Sequence, residues 1–101
     1  MAKRLWSVFT DDMEHCIETG TPYCHRHHIF YGFNGNRPKC EKYGFVIPIA
    51  YYLHEQYKGS IHDNPGEGLD LKWKKKAQKY YEEHYGCRRE FIKEFGRNYL
   101  D

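Results

Sequence analysis

The run Cys24-His25-Arg26-His27-His28-Ile29-Phe30 sets two adjacent histidines at the head of an apolar, strand-forming stretch, and His54 and His62 follow downstream. Imidazole ligates divalent ions and also changes its protonation near neutral pH. Four histidines in this order can therefore divide between holding one cation and activating a water molecule. The chemistry they point to is metal-assisted hydrolysis. Any one of them alone would more often be a surface or hydrogen-bonded core residue; the ordered set is what carries weight.

Such side chains need a scaffold to bring them together. His27 to Tyr31 alternates weakly and is rich in strand formers, Gly32 to Pro38 is turn-rich, and Phe45-Val46-Ile47-Pro48-Ile49 reads as a second strand ended near its proline. Together these predict a hairpin with a long loop. Ala50 to Tyr57 has helical composition and stops near Lys58-Gly59, where glycine can take the left-handed conformation that ends helices. After the turn Asp63-Asn64-Pro65-Gly66, residues Trp73, Ala77, Tyr80, Tyr81, His84 and Tyr85 fall on one helical stripe, with Lys72, Lys75, Lys76 and Lys79 opposite. A last helix is expected from Arg88 to Phe95. Cys87 stands in the cap position, Glu90 follows three residues later, and Gly96 comes after the last apolar residue. Before the hairpin, Leu5 to Phe9 is a short apolar run and His15 to Thr21 has no clear period.

The 101 residues suffice for one domain with one small core, and leave no room for a separate cofactor-binding domain. Aromatic content is 18 %, with ten tyrosines, so much of that core must be built from rings whose hydroxyls need partners or solvent. Net charge is only +2, which by itself indicates no nucleic-acid partner. Its distribution is uneven: residues 69–101 carry nine Lys and Arg against six Asp and Glu, whereas residues 1–68 carry seven against eight. No apolar leader follows Met1-Ala2-Lys3-Arg4 and no stretch is long enough for a membrane span, so the expected compartment is the cytoplasm of a bacterium or phage-infected host. The four cysteines, Cys16, Cys24, Cys40 and Cys87, are then expected as reduced thiols.

The ordered set His27-His28-Ile29-Phe30, Gly35-Asn36-Arg37, Glu41-Lys42-Tyr43-Gly44-Phe45, His54 and Ile61-His62-Asp63 resembles the HNH (ββα-metal) nuclease superfamily, and most closely its small phage and prophage recombination-associated proteins. Gln78, Phe91-Ile92 and Phe95-Gly96-Arg97-Asn98-Tyr99-Leu100 resemble the tail of the same group, so the likeness runs from about residue 13 to the C-terminus. The resemblance implies an α+β fold: a ββα-metal hairpin-plus-helix core over about residues 24–62, and two C-terminal helices over about 69–96. It implies one divalent ion, magnesium, manganese, nickel or zinc, clamped against a scissile DNA phosphate. His27, His54 and His62 become the ligands and His28 the general base. Asn36 fixes the loop between the strands, and Arg37 contacts phosphate. His62 lies eight residues beyond His54, about 12 Å along an unbroken helix, so the helix must end near Gly59 for both to reach one ion. The structural zinc site of many relatives would fall at Met13, Cys16, Ala50 and Leu53; three of these four cannot ligate zinc. That zinc is accordingly expected to be absent, with apolar packing in its place. Cys16 and Cys24 could pair with His15 or His25 around a metal, but at a spacing unlike a standard zinc knuckle.

The resulting expectation is a metal-dependent endonuclease acting on DNA phosphodiesters, with Lys72, Lys74, Lys75, Lys76 and Lys79 available to follow a DNA backbone. The plainer reading of that basic face is the solvated side of an amphipathic helix. Trp6 and Trp73 are expected in the core rather than as base platforms. One rival is a non-catalytic DNA-binding or recombination accessory protein with a degenerate site, acting with phage recombination proteins; another is a structural zinc protein with no open coordination position. A monomer would nick DNA, and a homodimer could cut both strands.

Overall fold

Val46-Ile47-Pro48-Ile49-Ala50 has no polar side chain to offer solvent, and all five residues are buried as strand β2 (Val46–Ala50). It pairs antiparallel with β1 (Cys24–His28), Cys24 opposite Ala50 and His28 opposite Val46, in a two-stranded sheet. The computed structural model describes residues 5–31, 36–56, 61 and 67–100. Within them the chain runs β1, α1 (Asn36–Tyr43), β2, a π-helical turn (Tyr52–Gln56), α2 (Gly68–His84) and α3 (Arg88–Phe95), an α+β arrangement.

The hairpin differs from expectation in three ways. Its first strand begins at Cys24 and ends at His28, three residues earlier at each end than the apolar run suggests. Ile29 still donates its N–H to Phe45 O at 2.9 Å, but Ile29 and Phe30 are drawn into the core, each 1 % exposed. Its second strand passes through Pro48 to Ala50. Pro48 O accepts the Ile17 N–H at 2.8 Å, so the peptide edge that lacks a donor faces the N-terminal segment and not β1. The connection also holds a helix, α1, where turn chemistry is expected; Pro38 falls in its first turn, where a missing N–H costs nothing.

The helix expected over Ala50 to Tyr57 is a single π-helical turn, and its expected stop at Lys58-Gly59 lies outside the described residues. The turn is anchored where Ile61, fully buried, donates its N–H to Leu53 O at 2.8 Å. Both C-terminal helices form as expected. In α3, Glu90 Oε1 accepts the Cys87 N–H at 2.9 Å, and Gly96 closes the other end at φ 94° with its N–H on Ile92 O. Along α2 the row Trp73, Ala77 and Tyr81 is buried against Phe30, Phe45, Phe91 and Phe95, whereas His84 and Tyr85 are exposed.

A second buried row, Asp70, Lys74 and Gln78, lies beside it. Lys74 is therefore not part of the solvated basic face: its Nζ lies 2.9 Å from Asp70 Oδ2 and over the Tyr31 ring. Gln78 fastens the C-terminal tail, donating to Asn98 Oδ1 at 2.7 Å and accepting the Tyr99 N–H at 2.7 Å. Among the described residues no helix is long and apolar enough to cross a membrane.

Candidate metal centre

Strand period decides which histidines meet. Successive side chains of β1 point to opposite faces, so His25 and His27 share a face and His28 takes the other. The π-helical turn follows β2 after one residue and sets His54 over the first of these faces. His54 Nδ1 lies 2.9 Å from His25 Nδ1, and its Nε2 lies 3.2 Å from His27 Nδ1. The three rings form a row, with centroid separations of 5.0 Å and 4.9 Å. A π-helical turn is a rare element that recurs at functional sites.

The row is enclosed unevenly. His27 is 4 % exposed, while His25 is open to solvent and packs on the Tyr51 ring at 4.2 Å between centroids. On the buried side Tyr31 lies 5.5 Å from the His27 ring and donates its hydroxyl to Asp70 Oδ1 at 3.1 Å. Burial, reinforced by the nearby Asp70 charge, keeps the Tyr31 phenol protonated well above its usual range.

Donor type and spacing suit a metal in part. Two imidazole nitrogens bound to one zinc-like ion at about 2.0–2.1 Å stand roughly 3 Å apart, and each of the two contacts made by His54 has that separation. His54, however, turns a different nitrogen to each neighbour. Among the described residues no group of three or more His, Cys, Asp or Glu side chains is arranged to hold one ion. The same geometry also satisfies hydrogen bonding, because a neutral imidazole offers one donor and one acceptor nitrogen.

Of the residues singled out by the sequence, His27 and His54 come together. His25, absent from that site set, joins them; starting the strand at Cys24 would have placed it there by alternation with His27. His28 does not. It lies on the other side of β1 with Nε2 3.1 Å from Glu41 Oε2 on α1. A ligand at His27 and a base at His28 therefore do not face one point in this structure. His62 lies outside the described residues. Asn36 opens α1, and its buried Oδ1 has no hydrogen-bond partner among the described residues; Arg37 beside it is exposed.

The four lysines Lys72, Lys75, Lys76 and Lys79 are exposed on α2, with Lys72 paired to Glu18 at 2.8 Å and Lys76 over the Trp73 ring. Trp73 is buried, while Trp6, 41 % exposed, donates its indole N–H to Glu41 O. At the four positions of the relatives' structural zinc, Ala50 and Cys16 are buried, and Met13 and Leu53 pack against the core. All four cysteines are free thiols. Cys40 exchanges hydrogen bonds with the Phe30 backbone, and burial pushes its thiol up to about 12. No protein-family model, no curated protein and no solved structure matches the chain, so what the centre can do rests on its own geometry.

Proposed function

We propose that the chain is a metal-dependent endonuclease of the ββα-metal kind that hydrolyses DNA phosphodiester bonds. One observation carries the reading: an antiparallel hairpin followed directly by a helical turn brings His54 within 2.9 Å of His25 and 3.2 Å of His27. In this reading His27 and His54 hold the ion, and His62 stays available as a further ligand. A bound divalent ion would neutralise charge on the phosphate and stabilise the leaving oxygen. An all-imidazole set suits zinc or nickel better than magnesium or manganese, which prefer oxygen ligands.

His25, the most exposed of the three, takes the role of general base, since its ring can reach solvent and the Tyr51 ring fixes its orientation. His28, paired with Glu41, holds α1 against the hairpin. Asn36 would fix the connection between the strands and the exposed Arg37 would contact phosphate, while Lys72, Lys75, Lys76 and Lys79 would supply a sequence-independent approach for the DNA backbone. DNA is the partner.

A second reading, an accessory DNA-binding protein without turnover, also has an observation behind it: both nitrogens of His54 are satisfied by neighbouring histidines with no ion required. Supercoiled plasmid separates the two. After chelation, wild-type protein with added zinc, nickel, manganese or magnesium should yield relaxed or linear DNA. His54→Ala and His25→Ala should not, whereas His28→Ala should keep cutting. Plasmid left intact with every ion favours the accessory reading. Cutting lost in His28→Ala but kept in His25→Ala returns the base to His28.

A further inference from the structure

Exposed rings gather at the end of the hairpin where the histidine row opens. Tyr23 stands one residue before β1, and its carbonyl accepts the Tyr51 N–H at 3.1 Å, one step beyond the Cys24–Ala50 pair. Tyr51 in turn packs on His25. Tyr23 is 71 % exposed, Tyr51 39 % and Tyr52 41 %, half of the six large apolar side chains exposed among the described residues. Two of them, Tyr23 and Tyr51, are paired across the end of the hairpin, and Tyr51 touches the candidate centre, which calls for a cause that scattered surface apolars do not.

We propose that Tyr23 and Tyr51 form a stacking platform for an unpaired base of single-stranded DNA, which makes single-stranded or locally unpaired DNA the preferred ligand of this centre. The inference rests on the nuclease reading of the same face. A tyrosine ring offers a flat apolar face at little conformational cost, and bases stack on such faces whatever their sequence. In a duplex, neighbouring bases along each strand lie about 3.4 Å apart and cover each other's faces. A projecting ring therefore finds a free base face only where pairing and stacking are broken. The exposed rings are tyrosines, whose flat faces and polar edges fit a planar, polar-edged partner better than an acyl chain. A base held on Tyr23 and Tyr51 keeps its own phosphate beside His25.

Binding is measured by fluorescence anisotropy with a labelled oligothymidylate in excess chelator, so that no cleavage intervenes. The comparison probes are a duplex of the same length and an abasic oligomer with the same phosphates. The proposal expects the single strand to bind more tightly than either. Tyr23→Leu should weaken single-strand binding at least roughly fivefold, the contribution of one base on one ring, with duplex binding unchanged. Tyr23→Phe, which keeps the ring, should match wild type. Equal affinity for the abasic oligomer, equal affinity for duplex, or an unaffected Tyr23→Leu would each overturn the proposal; so would a Tyr23-dependent self-association without oligonucleotide binding. Because Tyr23 is mostly solvent-exposed, the variants should melt with wild type. Plasmid cutting that depends on His54 but not on the Tyr23 ring would remove the platform and leave the nuclease. Ring-dependent binding without any cutting would do the reverse.

Discussion

Lys74 belongs to the most basic stretch of the chain, Lys72-Trp73-Lys74-Lys75-Lys76, yet its side chain is only 10 % exposed. Its ammonium lies 2.9 Å from Asp70 and 4.4 Å from the centre of the Tyr31 ring. Asp70 is 1 % exposed and also accepts the Tyr31 hydroxyl. Removing one partner of a buried pair leaves the other charged group inside without its counter-charge, at a cost of about 3 kcal/mol or more. Lys74→Met should therefore lower the free energy of unfolding by about 3 kcal/mol in urea titration, while Lys75→Met and Lys79→Met, both at exposed positions, should leave it within about 0.5 kcal/mol. Composition could not separate these lysines; helical period could, since Lys74 stands four residues from both Asp70 and Gln78 on a buried row. The histidines are similar. His25, His27 and His28 look equivalent as a list of ligands, and only the starting residue of β1 decides which two share a face.

Elements with a sharp local signature were legible in the sequence. Cys87, Glu90 and Gly96 mark the two ends of α3, and the Trp73-Ala77-Tyr81 spacing marks α2. The hairpin was legible as a hairpin, through the apolar residues of β2. What escaped was α1, because Asn36-Arg37-Pro38-Lys39-Cys40-Glu41-Lys42-Tyr43 has little apolar period: it is tied to the body through Cys40 and through the polar groups of Lys39, Glu41 and Tyr43. The helix is closed by Gly44 at φ 78°, where a Cβ would come within 2.7 Å of the Trp6 ring and 2.9 Å of Val8. A left-handed non-glycine residue costs about 1–2 kcal/mol before any clash. Gly44→Ala should consequently destabilise by at least about 2 kcal/mol by denaturant midpoint, and expose the N-terminal segment to proteolysis. A Gly96→Ala variant, with nothing near its added Cβ, should lose only the conformational part.

Across the whole molecule the tyrosines act together. Burial, first in each case, raises the phenols of Tyr31, Tyr43, Tyr81, Tyr85 and Tyr99 above the usual value of about 10. The carboxylate of Glu94 adds to this at Tyr43 and Tyr81, and that of Asp70 at Tyr31 and Tyr99. A raised pKa means that the folded chain keeps protons that the unfolded chain releases above pH about 10, so this stability is present below that pH and lost as pH rises through it. The phenolate absorbance of these five tyrosines should accordingly lag in native protein and then appear together with loss of helix; ionisation of all ten tyrosines at the ordinary pH with the fold intact would contradict the buried-ring core. Those rings join the hairpin to α2 and α3, and the hairpin in turn sets the histidine row. The most direct test of that row is a long-range nitrogen–proton NMR spectrum of the seven histidines during zinc titration. The ring nitrogens of His27 and His54 should shift together at stoichiometric zinc, with His25 perturbed beside them and His15, His28 and His84 staying in place. A zinc response at His28 without His54, or no response from any of the row, would contradict a metal centre there.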